Sequence, residues 1–385
     1  MTTFDPIFVP AEVREAVTAA AWLAAMLDAE RALANASSLV GVIPTAAAAA
    51  IAERCEPDLY DLDALLAEGR LSGNPAEPLV RALRERVDED ARRWVHFGAT
   101  SQDIIDTAAM LVARTATDLI CDELDGAAAA AASHAETHRA TPMAARTLLQ
   151  QAVPTTFGAK AAGWLAAISA ALERLRGVRW YAQLGGAAGT LAPFGDRGPE
   201  ILEAFAAELE LLAPDVPWHT ERGSMADLAG ALDSAAQSCA KIALDVVLLA
   251  QTEVGEVTER DGGASSTMPH KHNPTRAVLA RACARLVHAN AGLLTSGGDY
   301  ELERAAGAWQ AEWTALSESL AHSGGAAAAT RECLEQLEIS PQRMRENMRP
   351  EIYSERDRLG LDDSDYLGAS GAFVDRALAR WRGGV

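Results

Sequence analysis

Apolar residues recur every three or four positions along most of this chain, the spacing that gathers them on one face of an α-helix. Over 11–39 they fall at Val13, Val17, Trp22, Met26 and Leu33 with charged residues between, and Gly41 and Pro44 close the segment, which predicts a first helix. A second is predicted through the alanines after Thr45. Residues 71–78 read L-S-G-N-P-A-E-P, and a glycine with two prolines so close together excludes a helix interior. Helical spacing returns over 79–87, and 104 to about 140 reads as one long alanine-rich helix. Leu228, Leu232, Ala235, Cys239, Ile242, Val246 and Leu249 alternate in steps of four and three, a seam for helix pairing, on a helix predicted to run to about 259. Thirty residues of helix extend about 45 Å, so several neighbours are needed to cover it. Helix resumes over 276–294, and another is predicted to start at Arg304. No alternating strand pattern exceeds a few residues. The predicted class is all-α, with a long central helical bundle.

Composition narrows the function classes. In 385 residues, 49% hydrophobic and 23% charged describe a soluble globular chain with room for two or three domains. The 34 basic against 54 acidic residues, net −20, argue against nucleic acid or an anionic membrane as partner. Any anionic ligand must therefore be met by cations collected locally. Five cysteines, widely spaced within helical patterns, read as small buried hydrophobes in a reducing compartment. No apolar run nears the roughly 20 residues of a membrane span, and the first residues lack a basic, apolar leader, so a cytoplasmic location is expected.

Candidate chemistry concentrates at 261–274, D-G-G-A-S-S-T-M-P-H-K-H-N-P. Gly262 and Gly263 let the backbone approach a ligand closely. Ser265, Ser266, Thr267, His270, Lys271 and Asn273 then supply hydroxyl, imidazole, ammonium and amide groups, a set suited to an anion. Residues 94–107, W-V-H-F-G-A-T-S-Q-D-I-I-D-T, place Thr100 and Ser101 ahead of a helix, where they serve as caps or, with the first free N–H groups, as a carboxylate site. Asn74 in the 71–78 break is either a turn former or a ligand. His134 and His138 share a helix face but lack a third ligand at matching spacing, so a solvated face is expected there rather than a metal.

The spacing Ser265-x-x-Met268-x-x-Lys271-x-Asn273 resembles the signature loop of the fumarase/aspartase superfamily. A Thr100-Ser101 pair ahead of Asp103 is similar to a second superfamily stretch, and R-T-L-L-Q-Q-A-V-P-T-T-F-G-A-K at 146–160, with Gln150, Pro154, Thr155, Phe157 and Gly158, to a third. Many members carry a histidine directly after the threonine matched by Thr147; here Leu148 stands there, and leucine carries no proton. H-F-G-A-T-S-Q-D-I-I-D-T at 96–107 is similar to the cycloisomerase and adenylosuccinate lyase branches, while F-D-P-I-F-V-P-A-E-V-R-E-A-V near the start, S-G-N-P-A-E-P-L-V at 72–80, R-T-L-L-Q-Q-A without the histidine and R-A-A-G-A-W-Q-A-E-W at 304–313 together resemble the 3-carboxymuconate cycloisomerase branch.

That resemblance implies a three-domain chain, 1–93, 94–340 and 341–385, the last lacking a helical portion usual in the family. It implies a homotetramer in which each site is built from three subunits. It further implies ring closure of a 3-carboxy-cis,cis-muconate to a lactone, with no metal or organic cofactor. Ser265 is then the catalytic acid/base. Asn74, Thr100, Ser101, Thr147, Gln150, Ser266, Met268, Lys271, Asn273 and Arg304 bind substrate, while His96 and His270 are electrostatic helpers or structural. The alternatives are an elimination lyase of the same superfamily, acting on adenylosuccinate or a small dicarboxylate, for which the H-F-G-A-T-S wording speaks and against which Leu148 speaks, and a silent scaffold, against which the intact Ser265, Lys271 and Asn273 speak.

Overall fold

The computed structural model describes residues 4–260, 262–264, 268, 271–296, 298, 300–362 and 366–383. Its first helices are short because the sequence keeps stopping them. α1 (Asp5–Phe8) and α2 (Ala11–Ala16) precede α3 (Ala19–Leu39), so the single helix expected over 11–39 is in fact two. The break falls at Thr18, whose extended backbone and side chain, accepting the Ala21 N–H at 3.3 Å, cap α3 afresh. α4 (Thr45–Ala52) is the expected alanine helix. α5 (Leu62–Ser72) ends on Gly73 at φ 74°, and α6 (Ala76–Arg86) starts after Pro75. Pro78 therefore lies in the first turn of α6, where a missing N–H breaks no helical bond, and the break narrows to 73–75. α7 (Glu89–Arg92) completes this part.

The core is a bundle of long helices: α8 (Ser101–Thr137), α9 (Phe157–Arg176), α11 (Gly223–Leu249), α12 (Thr275–Thr295) and α13 (Ala308–Glu335), with α10 (Gly198–Glu208) set against α3. Buried alanines along α8, among them Ala108, Ala113, Ala127, Ala128 and Ala131, let its neighbours approach closely. The seven seam residues of α11 are all buried, as their spacing predicts. That helix stops at Leu249, however, well short of 259: Gly255 turns at φ 60° and the Glu256 N–H reaches back to the Leu249 carbonyl at 2.9 Å. α13 likewise starts at Ala308 rather than at Arg304, because Gly307 at φ 122° turns the chain just before it. α8 and α13 run parallel. The Trp309 indole N–H donates to Asp106 at 2.9 Å near both starts, and His134 Nε2 meets the Leu334 carbonyl at 2.8 Å near both ends.

Short strands join the bundle at one end. β1 (Pro142–Thr147) and β2 (Gln150–Thr156) form an antiparallel hairpin, longer than any strand the hydropathy pattern predicted. Its residues are mostly small or polar, with Pro154 inside β2, so no apolar alternation marks it. β3 (Val257–Glu259) pairs with β6 (Leu337–Ile339), and β4 (Gly263–Ala264) with β5 (His272–Asn273). α14 (Pro341–Asn347) and α15 (Ser354–Leu359) follow, and α16 (Ser370–Arg382) returns to α9 with Val374 and Leu378 buried. His134 and His138 are half-buried against the edge-on ring of Phe157 rather than on a solvated face, and burial lowers the pKa of both. All five cysteines are buried and unpaired, and no described helix is long and apolar enough to cross a membrane.

Candidate functional site

The expected site residues fall into two groups at opposite ends of α8. Its 37 residues span about 55 Å at about 1.5 Å each. Asn74, His96, Thr100, Ser101 and Arg304 lie at the amino end. Thr147, Gln150, Met268, Lys271 and Asn273 lie at the carboxyl end, which α13, β6 and β3 also reach. Ser265, Ser266 and His270 lie outside the described residues.

At the amino end, Gly98 takes φ 73° under the ring of Phe194, where no Cβ fits, and so turns the chain into α8. Asp103 then organises the entry. Its carboxylate accepts the N–H groups of Thr100, Gly185 and Gly186, each at 2.9 Å, and meets His219 Nε2 at 2.7 Å. Thr100 and Ser101 are left half-buried beside the first-turn N–H groups, which have no partner within a helix. His96, at φ 58°, places Nδ1 2.6 Å from Glu30. Burial opposes its protonation, but the charge and hydrogen bond of Glu30, helped by Asp103, prevail and hold its pKa above the ordinary imidazole value. Asn74 caps α6, its Oδ1 accepting the N–H groups of Ala76 and Glu77 at 3.1 Å.

Two arginines at this end are treated in opposite ways. Arg222 is buried between Asp106, at 2.7 and 3.1 Å, and Glu312, with Trp218 under its guanidinium. Burial works against its charge, and the two carboxylates more than compensate, raising its pKa. Tyr300 adds its hydroxyl to Glu312. Arg304 instead donates to neutral acceptors, Gln102 Oε1 and the Ala187 carbonyl, both at 2.9 Å, and makes no ion pair among the described residues. The Gln102 amide cannot turn round, because its Nε2 is committed to Asp106 at 3.0 Å and the His219 carbonyl at 2.8 Å. The charge of Arg304 is thus fixed in place and meets no carboxylate among the described residues, in a chain of net −20. A cation so held suits a carboxylate ligand.

The carboxyl end is more open. Thr147 and Gln150 are the last paired residues of the hairpin, and the turn between them is Leu148–Leu149, at φ 50° and 65° and 96% and 72% exposed. The root of the 261–274 loop is stapled by Glu259, which is buried and accepts the N–H groups of Arg276 and Ala277 at 3.0 and 2.9 Å. Asn273 Nδ2 donates to the Gly263 carbonyl at 3.1 Å, and the Lys271 N–H to that of Met268 at 3.0 Å. Lys271 is exposed on a cleft of about 760 Å³ shared with Gln251, Thr258 and Asn273. Residues missed by sequence reasoning are those that work through others: Asp106, Arg222, Glu312 and His219 at one end, Glu256 and Glu259 at the other. Asp106 and Glu312 stand inside quoted stretches and the others in ordinary wording, but only the fold shows that these side chains are buried; Asp103 carried a signal of its own, as part of T-S-Q-D.

A lyase family profile matches residues 10–288. Over 360 residues the chain is 46% identical to nitrosuccinate lyase of Streptomyces davaonensis, covering 89% of this chain and 76% of that protein. Over 360 residues it is 44% identical to 3-carboxy-cis,cis-muconate cycloisomerase of Bradyrhizobium diazoefficiens, covering 90% and 80%. The crystal structure of 3-carboxy-cis,cis-muconate lactonizing enzyme from Pseudomonas putida superposes with a TM-score of 0.90 at 34% identity over 99% of both chains.

Proposed function

This chain belongs to the lyase family of the fumarase/aspartase superfamily, and on that footing we propose that it closes 3-carboxy-cis,cis-muconate to 4-carboxymuconolactone. In that reaction a carboxylate oxygen adds across a conjugated double bond, and a proton is delivered to the carbon next to another carboxylate. The difficult species is the enediolate-like dianion between the two steps, and preorganised donors lower its energy most. Thr100, Ser101 and Arg304 are assigned to one carboxylate, with Asn74 and His96 beside them; Thr147, Gln150, Ser266, Met268, Lys271 and Asn273 are assigned to the rest of the substrate. Ser265 moves the proton at carbon, its alkoxide stabilised by Lys271 and loop N–H groups.

The observation that carries this reading is Leu148 at the exposed hairpin tip, in the stretch where many superfamily members hold a histidine. A carboxylate leaves without a proton, so an apolar tip suits lactone chemistry and not the release of an amine or a purine. The two groups lie at opposite ends of one α8 about 55 Å long, too far apart to bind one small molecule within a chain, which supports a homotetramer with sites shared between chains as the working unit. The same reading takes the chain as three parts, 1–93, 94–340 and 341–385, acting in the cytoplasm without metal or organic cofactor.

The identity with nitrosuccinate lyase favours a second reading, elimination of nitrite from nitrosuccinate, because nitrite also departs without a proton. Purified protein incubated separately with the muconate, nitrosuccinate, adenylosuccinate, argininosuccinate, aspartate and malate decides the matter. Loss of diene absorbance with lactone signals in proton NMR is expected; nitrite release alone selects the second reading, and cleavage of any of the last four without cyclisation overturns both.

A further inference from the structure

We propose that Glu256 and Asn347 are positioning residues that lock the Leu148–Leu149 tip, so that the segment around α14 is a working part of the active site. The proposal rests on the assignment of Thr147 and Gln150 to substrate. Those two residues flank a two-residue turn in which both leucines have positive φ, 50° and 65°. Such a turn is built for Asn-Gly, and a branched, apolar residue at either position is strained. Leu148 and Leu149 gain no burial within the chain in return, being 96% and 72% exposed. A two-stranded hairpin is marginal by itself, and strained backbone persists only where the surroundings over-determine it.

The over-determination is visible two residues below the tip. Arg146 and Gln151 are cross-strand partners. Arg146 grips Glu256 with two hydrogen bonds, at 3.0 and 2.6 Å. Gln151 donates to the Asn347 carbonyl at 2.7 Å and accepts the Arg349 N–H at 3.2 Å. Asn347 closes the circuit, its Nδ2 donating to Glu256 at 2.9 Å and to the Val254 carbonyl at 2.8 Å. The Glu256 side chain is fully buried, so releasing either partner leaves a carboxylate short of donors away from water. Glu256 also immediately precedes β3, which leads into the 261–274 loop. The hairpin, the root of that loop and α14 are therefore registered to one another through a single carboxylate.

Hydrogen exchange and steady-state kinetics on Asn347→Ala and Glu256→Gln in the full-length protein test this. In Asn347→Ala the amides of 146–151 should exchange at least about tenfold faster than in the native protein, while those of α8, α11 and α13 keep their rates. Turnover should fall by at least about tenfold with KM changed less than about threefold, the pattern of groups held correctly only for the transition state. If Glu256→Gln does not fold, the half-buried Asn347 site still gives the answer. Native exchange at 146–151 in Asn347→Ala, or a loosened hairpin with native turnover, overturns the proposal. Exchange needs no substrate, so a protein that transforms none of the six compounds defeats the functional reading while the state of the lock is still decided.

Discussion

The two ends of α8 solve different problems. At the amino end charge is buried and accounted for: Asp103 has four donors, Arg222 has two carboxylates, and Gln102 is held so that only its oxygen is offered to Arg304. At the carboxyl end the groups proposed to meet substrate are carried beside a hairpin tip and on a loop, with Lys271 exposed and the turn strained. One end is a finished surface and the other a set of presented parts. The contrast teaches where each kind of substitution should register: in stability for the buried charges of the first end and in turnover at the second, with Arg304, like Thr100 and Ser101, belonging to the first end by position and to the second by proposed effect.

The largest effect is expected at the open end. Ser265→Ala should cut turnover by about a thousandfold or more, above about 4 kcal/mol of transition-state stabilisation, with the melting temperature nearly unchanged; retention of a tenth of native turnover would remove serine as the acid/base. Arg222→Met sharpens the contrast from the other side. It strands Asp106 and Glu312, and should cost about 3–5 kcal/mol in denaturant unfolding. Arg304→Met leaves no carboxylate stranded among the described residues, so the melt should hold while kcat/KM falls about a hundredfold, about 2.7 kcal/mol. A melt lowered as far as that of Arg222→Met would erase the distinction drawn between the two arginines. Leu148→Asn with Leu149→Gly installs the residues the turn prefers, and should raise unfolding stability by about 1 kcal/mol while lowering turnover.

The smallest effect is in pH. The His96 pKa is raised on folding, so the pair with Glu30 gives its full stabilisation below the ordinary value of 6.5 and loses it as pH climbs through the raised value. Native protein should therefore lose more stability between pH 6 and about 9 than His96→Gln does; equal slopes in parallel melts would show that His96 titrates no differently in the folded state.

The long helices were legible because burial on one face leaves a period in the sequence, as along α11, whose seam residues are all buried. Stops were less so. The chain breaks at Thr18 because of a cap and at Gly307 because of a glycine at positive φ, while α11 ends at Leu249 and Gly255 turns the chain beyond it; none of these single residues interrupts a hydrophobic pattern. The hairpin was invisible for a related reason, since Arg146 and Gln151 are fixed by Glu256 and Asn347, each more than 100 positions away in sequence. Of the candidate site, residues standing in compact motifs could be named from the sequence. That Arg304 has no counter-ion among the described residues while Arg222 has two depends on Asp106 and Glu312 meeting across two helices, which no local wording records.

The parallel course of α8 and α13 bears on how an anion is drawn to the amino end. Peptide dipoles align along each helix, leaving a partial positive charge of about half an elementary charge at its start. Neighbours in an antiparallel bundle cancel one another; here two starts lie side by side, tied by Trp309 and Asp106. Part of the attraction for a carboxylate therefore comes from main-chain groups that no side-chain substitution removes and no pH change titrates. Added salt should weaken capture in the native protein and in Arg304→Met alike, because the main-chain share survives the substitution.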